Sequence, residues 1–168
     1  MQNWISVIVA VIFTAVIAAV PVWAATLTNL THYSTTEQVS QDANHTLIFT
    51  TPSGVAEGET MLVTFDASFD TSSLVEDDVD IDDDGVDLTT AGDCTGSEEA
   101  SVSIAADVVT ITVCSGDGGA IAATSEVTIE IGTNATASGT GANQTTNPSS
   151  VATYQIRVSG TFGDSAAA

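Results

Sequence analysis

The chain has no lysine and only one arginine, Arg157, against 22 acidic residues, which gives 168 residues a formal net charge of -21. A nucleic-acid partner bound by phosphate neutralisation is therefore excluded, because one cation cannot displace the counterion atmosphere of a polyanion. The same imbalance argues against docking on an anionic membrane surface.

Aromatic residues are also scarce, at 5% of the chain, and both tryptophans, Trp4 and Trp23, fall within the first 24 residues. A glycosidase cleft and an aromatic sugar-binding platform are thus disfavoured. The sequence has no GxSxG motif, and its two histidines, His32 and His45, stand beside no nucleophile. We therefore expect no enzyme and no catalytic residue, and we place both histidines at an edge or on the surface.

A long apolar run opens the chain. Residues 5–22 are uninterrupted by charge, and Val22, Trp23 and Ala24 fit a small-residue cleavage pattern. This predicts a signal peptide over residues 1–24, cut after Ala24. The run is preceded by no Lys or Arg, and 18 apolar residues can just span a bilayer, so a retained membrane helix or pilin-like stalk is the alternative. Both alternatives place the remainder of the chain outside the cytoplasm, in the extracellular space or on the cell surface.

Only two cysteines occur, Cys94 and Cys114, and both follow the apolar run. In an oxidising compartment such a pair predicts a disulfide. Closing a loop of about 20 residues would stabilise the fold by roughly 3 kcal/mol in the chain-entropy model. Two buried free thiols are the alternative, while a metal site is disfavoured because no CxxC spacing exists.

Apolar residues alternate with Thr, Ser or acidic residues through much of the remaining chain, as at Met61, Val63 and Phe65. Period two with β-branched residues predicts strands that bury one face. We expect an all-β, antiparallel sandwich of about eight or nine strands over residues 25–162, preceded by the N-terminal hydrophobic helix. Residues 134–150 read as a long exposed loop, and residues 163–168 as a small-residue tail or linker.

The strongest local feature is an acidic run around a predicted hairpin turn ending at Gly85. Asp80, Asp82 and Asp84 match the first half of a DxDxDG calcium loop, and Asp87 follows. The match ends there, because Ala91 stands where a bidentate Glu is needed. A calcium site at these four aspartates is one interpretation. The other is a hairpin with its acids in solvent and four apolar residues inward, namely Val79, Ile81, Val86 and Leu88.

Residues 63–74 (VTFDASFDTSSL) and residues 78–85 (DVDIDDDG) resemble bacterial Ig-like domains of surface-layer and adhesin proteins. Residues 43–52, 127–136 and 146–150 are similar to uncharacterised secreted surface proteins of candidate-phylum bacteria. The resemblance implies an Ig-like β-sandwich with a surface, filament or adhesion role. It carries over no catalytic residue.

Four Asn-x-Ser/Thr triplets are candidate glycosylation sites, although Thr-rich sequence also produces such triplets by chance. They begin at Asn29, Asn44, Asn134 and Asn143.

The sequence thus predicts an exported cell-surface structural or adhesion protein, including a subunit of a filament or surface layer. Its partners would be other copies of itself, other surface proteins or glycans, with the membrane contacted only through an uncleaved N-terminal helix. We expect residues 26–40 to serve as a strand donated to a neighbouring subunit. The alternative is an extracellular module that binds carbohydrate or calcium, with no cofactor required beyond that ion.

Overall fold

A computed structural model describes residues 25–167. The predicted leader and its apolar helix, residues 1–24, lie outside the described residues. Within residues 25–167 all regular structure is β, apart from one 3-10 turn at Glu76–Asp78. No helix in this part of the chain is both long and apolar enough to cross a bilayer.

The first sheet has five antiparallel strands, which we number in chain order together with those of the other sheets. They are β1 (Thr28–Ser34), β3 (His45–Thr50), β5 (Val79–Asp83), β6 (Val86–Asp87) and β10 (Glu126–Ile131). Their spatial order is β1-β3-β10-β5-β6, so β1 and β6 form the two edges.

The second sheet has six strands, antiparallel except for the β7–β8 pair. They are β4 (Thr60–Thr64), β7 (Thr90–Ala91), β8 (Ala100–Ala105), β9 (Val108–Val113), β12 (Arg157–Gly160) and β13 (Ala166–Ala167). Their order is β13-β12-β4-β9-β8-β7. A third sheet pairs β2 (Asp42–Ala43) with β11 (Thr145–Thr146).

One continuous core fills the space between the two large sheets. Leu47, Phe49 and Ile129 of the first sheet belong to the same fully buried cluster as Met61 and Ile111 of the second. Alternate positions of these strands point inward, as period two requires. The prediction of an all-β sandwich is confirmed, although the structure divides the chain into eight strands of four or more residues and five strands of two.

Two segments are more closely integrated than the sequence suggests. Residues 134–150 were expected to form an exposed loop, and that expectation is wrong, because Ala135 and Thr145 are fully buried and the loop packs over the outer face of β5. Residues 163–167, assigned to a tail or linker, contribute strand β13 and the buried Asp164. Its carboxylate accepts hydrogen bonds from the side chains of Thr51 and Ser53 at 2.7 and 2.9 Å.

The first strand also differs from expectation. Residues 28–34 pair with β3 of their own chain, with Tyr33 opposite Thr46 and Ser34 opposite His45. Residues 26–40 were predicted to be a strand donated to a neighbouring subunit. In this structure residues 28–34 of that segment are instead paired with β3 of the same chain.

Candidate functional site

The predicted disulfide between Cys94 and Cys114 is present, with the two Cα atoms 5.5 Å apart. Cys114 is buried directly after the last residue of β9, whereas Cys94 lies in the exposed loop that precedes β8. The bond therefore fastens a loop of the second sheet to the end of a central strand.

The predicted hairpin around the acidic run is also present. Asp83 pairs with Val86, and both turn residues have positive φ, 51° at Asp84 and 80° at Gly85, as two-residue hairpin loops require. Val79, Ile81 and Leu88 are buried in the core as expected. Val86 is not, because it stands beside the turn on an edge strand of two residues and is 68% exposed.

The acids of this hairpin are not simply in solvent, because the loop at 134–144 covers their face. Asp80 is 2% exposed, and its two carboxylate oxygens accept the backbone N–H groups of Ala137 at 2.6 Å and Gly139 at 2.5 Å. A Cβ at residue 139 would lie only 2.5 Å from the carbonyl oxygen of Asp77, so the close approach of the loop requires glycine.

Asp78 holds the second half of the same loop. This fully buried carboxylate accepts the N–H groups of Ala142 and Asn143 at 2.7 and 2.8 Å, the Asn143 side-chain amide at 2.9 Å and the N–H of Val75 at 2.9 Å. Burial opposes its ionisation, yet the hydrogen bonds outweigh burial and hold the pKa of Asp78 below its usual value. Buried acids here serve as acceptors for a covering loop.

Other carboxylates of this surface, which we call the acidic face (Asp80, Asp82, Asp87 and Glu130), crowd one another. Asp82 pairs in register with Asp87, and Asp80 with Glu130 on β10. Burial, and after it repulsion by neighbouring carboxylates, raises the pKa of both Asp82 and Glu130. The acidic face therefore carries electrostatic repulsion that a bound cation would relieve.

The four aspartates predicted to bind calcium are only partly brought together. Asp80, Asp82 and Asp87 share the acidic face, but the Asp84 carboxylate turns to the backbone N–H of Glu126 at 2.9 Å. Among residues 25–167, no group of three or more His, Cys, Asp or Glu side chains is arranged to hold a metal ion. The calcium site stays a prediction.

The two histidines, in contrast, are brought together. Nε2 of His32 lies 2.8 Å from Nδ1 of His45, and the rings are 10° from parallel with their centroids 5.1 Å apart. Parallel rings whose nearest nitrogens are this close lie edge to edge, so one N–H of the pair donates to the other ring. His32 pairs in register with Leu47, which makes the two histidines diagonal neighbours on one sheet face.

His45 is part of the core rather than the surface, so our placement of it at an edge is wrong. It is 1% exposed and occupies the inward register of β3 with Leu47 and Phe49. Burial, and after it repulsion by His32, lowers the pKa of His45 to about 3. Burial likewise lowers the pKa of His32, against the opposing effect of Glu37. Both rings are therefore neutral at pH 7.

An open cleft of about 390 Å³ lies beside the two histidines. Its lining includes both histidine rings, Phe69 and Tyr154. The ring of Phe69 packs edge-on against His45 and Tyr154, with centroids 5.7 and 5.9 Å apart. Two further lining residues, Val39 and Val151, are 40% and 93% exposed. The cleft thus combines aromatic walls with an exposed apolar rim.

Sequence reasoning missed this cleft, because its parts come from three distant segments of the chain. One signal was available: His45, Leu47 and Phe49 alternate, which assigns His45 to the same face as two core residues.

The four glycosylation candidates differ in their surroundings. The side-chain amides of Asn44, Asn134 and Asn143 donate to Thr133, Thr46 and Asp78 respectively, at 3.0, 3.0 and 2.9 Å. Asn29 is exposed, and its amide is 3.3 Å from the hydroxyl of Thr50. Glycosylation at all four stays a prediction, and Asn29 is the most accessible of them.

No protein-family model matches the chain, and no curated protein matches it. Among solved structures, the chain is similar to BcpA, the major pilin subunit of Bacillus cereus, at 12% identity and a TM-score of 0.40 over 85% of this chain and 37% of that one. A point variant of that pilin gives 10% identity and a TM-score of 0.41, again over 85% and 37%. The collagen-binding domain of the Erysipelothrix rhusiopathiae surface protein RspB gives 12% identity and a TM-score of 0.35 over 82% and 41%. The chain thus spans about two fifths of each, and we transfer no residue role from them.

Proposed function

We propose that the chain is an exported cell-surface protein with a structural or adhesive role. The observation that supports this most is the open cleft beside the histidine pair, where Val151 is left 93% exposed on a body otherwise dominated by acidic and hydroxyl side chains. Exposed apolar side chains around an aromatic-lined depression are typical of surfaces that contact another macromolecule. The Cys94–Cys114 disulfide supports the export, because such bonds persist in oxidising compartments.

Location and adhesion are tested separately. Immunogold labelling of intact cells with an antibody raised against residues 25–167 is expected to decorate the cell surface or surface filaments. Label that appears only after the cells are lysed would contradict export.

Adhesion is tested with cells that display the wild type, Val151→Asp or Val86→Asp. Both valines are exposed, but Val86 lies on β6, outside the cleft. Attachment to protein-coated and glycan-coated surfaces should fall with Val151→Asp and persist with Val86→Asp. Equal attachment of all three would remove the cleft from the adhesive surface.

A calcium-binding module is the second candidate, supported by the raised pKa values of Asp82 and Glu130 on the acidic face. An ion bound there would relieve the repulsion between the carboxylates and stabilise the folded state by mass action. Millimolar Ca²⁺ should raise the Tm of the wild type and leave the Tm of an Asp82→Asn/Asp87→Asn double variant unchanged. Absence of a shift in the wild type would exclude this site.

A further inference from the structure

The four edges of the two large sheets are unequal. Two of them are formed by strands of only two residues, β6 and β7, and a third is formed by β13, which is described up to Ala167. The fourth edge is β1, which runs over seven residues from Thr28 to Ser34. Its register with β3 shifts between Thr28 and Thr31, so the regular part of this edge is residues 31–34. Short edge strands offer little backbone for pairing with another chain, whereas a long one offers a row of free N–H and C=O groups.

The backbone groups that β1 leaves free can be identified from its register. The N–H of Thr35 donates to the carbonyl of Asn44 at 3.1 Å, continuing the ladder in which Tyr33 is opposite Thr46. Hydrogen-bonded and non-hydrogen-bonded residues alternate in antiparallel pairs. The backbone N–H and C=O of Tyr33 therefore point to β3, and those of His32 and Ser34 point to the open side. Within residues 25–167, no strand and no loop backbone pairs with that side.

The two edges of the first sheet also differ in charge. Strands β1 and β3 contain no Asp or Glu, whereas β10, β5 and β6 contain six. These six are Glu126, Glu130, Asp80, Asp82, Asp83 and Asp87. An added strand at β6 would meet a concentration of carboxylates, whereas β1 itself carries only uncharged side chains, since His32 is neutral at pH 7. The carboxylate that acts on His32 is that of Glu37, which follows the end of the strand.

We propose that the open edge of β1 is a self-association surface, on which β1 of a second copy adds antiparallel and joins two five-stranded sheets into one. Identical antiparallel strands are related by a twofold axis, so each free N–H of one copy meets a free C=O of the other. In this pair no charged residue lies opposite a residue of the same charge, whereas a β6–β6 pair would bring carboxylates together. The cleft opens beside the same strand, since His32 and Ser34 both line it.

A second copy fits this edge better than a basic or acidic partner chain does, because β1 offers hydroxyl, amide and apolar side chains but no ionised group. Tyr33 is 60% exposed there, and pairing across the edge would cover part of its ring. The remaining cost is long-range, because each copy carries a net charge of -21. Screening by salt should therefore strengthen this association, which is the reverse of what salt does to an interface made by ion pairs.

The test compares the full chain with three variants by sedimentation velocity in one mild detergent. Tyr33→Lys places on the β1 edge the residue that natural edge strands use against pairing, and Ser34→Pro removes an outward N–H without touching the β3 ladder. Val86→Lys is the matched control, because it makes the same charge change at the opposite edge of the sheet, where Val86 is 68% exposed.

We expect wild type and Val86→Lys to dimerise alike, and Tyr33→Lys and Ser34→Pro to weaken dimerisation by about tenfold or more. Dimerisation of the wild type should strengthen as NaCl rises from about 0.05 M to about 0.5 M. A general charge effect would strengthen association in both lysine variants, and association through residues 5–22 would be the same in all four proteins. A monomeric wild type at all salt concentrations, or dimers that ignore both β1 substitutions while circular dichroism shows them folded, would overturn the proposal.

Discussion

At the scale of single residues, the chain places an ionisable ring where its pattern calls for an apolar one. His45 occupies an inward position of β3 between the two sheets and contacts the rings of Phe65 and Phe69. Its Nε2 has no hydrogen-bond partner among the described residues. Because the neutral form alone suits this setting, protonation of His45 must compete with folding.

Stability should therefore fall in mildly acidic solution. His45 titrates near 6.5 when unfolded and near 3 when folded, so between these values the unfolded state binds one more proton. Stability is fully present above pH 6.5, and about 1.4 kcal/mol of it is lost for each pH unit below, or about 2 kcal/mol at pH 5. Urea unfolding of the wild type at pH 7 and pH 5 measures this loss.

His45→Leu and His45→Phe serve as the controls for that measurement, since both remove the titrating group and keep an apolar side chain at the site. Their unfolding free energy should depend less on pH over the same interval, with His32 accounting for the remaining slope. The same slope in the wild type and both variants would show that other groups cause the acid sensitivity.

The sequence predicts the burial of a single residue when local strand geometry determines it, and fails when the position of a sheet edge determines it. Val79 and Ile81 are inward because the strand pleat is a local property, and the sequence shows it directly. Val86 has the same residue type but stands exposed, since its strand ends after two residues at the edge of the sheet. No local pattern reports where an edge lies.

At the scale of elements, the loop at residues 134–144 behaves as a cover for the first sheet. Three aspartates of the hairpin region, Asp78, Asp80 and Asp87, hold it through its backbone amides and the hydroxyl of Ser138. Charge-assisted bonds of this kind are stronger than neutral ones. The cover explains how a strand as acidic as β5 can be buried on both faces.

Asp78→Asn should loosen this cover. In either orientation the amide NH2 would replace one carboxylate oxygen and face two of the N–H donors that Asp78 now accepts, so we expect a loss of about 2 to 3 kcal/mol in the free energy of unfolding. Hydrogen exchange at both amides should accelerate as well. The measurements are urea unfolding and exchange read by mass spectrometry.

Asp77→Asn is the matched control, since Asp77 is the exposed neighbour and a surface change of this kind costs within about 0.5 kcal/mol. Gly139→Ala is an independent variant, because its Cβ would clash with the carbonyl of Asp77 and should accelerate exchange in the same loop. Protection factors that stay the same in Asp78→Asn would contradict the role given to this carboxylate.

The sequence predicts the strands and the hairpin of this region but not the cover. Alternation and the Asp84-Gly85 turn are visible within a few residues of each other, whereas the bonds from Asp78 and Asp80 to the loop span 57 to 65 positions of the chain. The Thr/Ser/Gly-rich segment reads as exposed because it bonds these carboxylates through its own backbone amides, which every residue type but proline carries.

At the scale of the whole molecule, negative charge is the dominant property, and within the first sheet it lies on β10, β5 and β6. Asp82 shows its local effect, since burial and the nearby Asp87 and Asp80 raise the pKa of its carboxyl group. A group with a raised pKa is destabilising when ionised, and this cost is present at pH 7 and disappears as pH falls and the group is protonated.

Asp82→Asn should therefore raise the Tm at pH 7 in low salt, through about 0.2 to 1 kcal/mol of relieved like-charge repulsion. The gain should shrink as NaCl is added, because screening already weakens the repulsion in the wild type. Thermal unfolding followed by circular dichroism measures both effects. Asp77→Asn is the control, because it removes one negative charge from an exposed position outside the acidic face. An equal rise in Tm with Asp77→Asn would mean that total charge, rather than crowding on the acidic face, is responsible.

The two ends of the described chain meet at the side of the second sheet. The N–H of Leu27 donates to the carbonyl of Ser165, and the N–H of Ser165 donates to the carbonyl of Ala25, both at 3.3 Å. The polypeptide thus enters and leaves the body at neighbouring points. A short peptide bridging these points, with new termini opened at the exposed Asp84-Gly85 turn, should give a circular permutant with the same core, and the body should likewise tolerate grafting into a surface loop of an unrelated carrier.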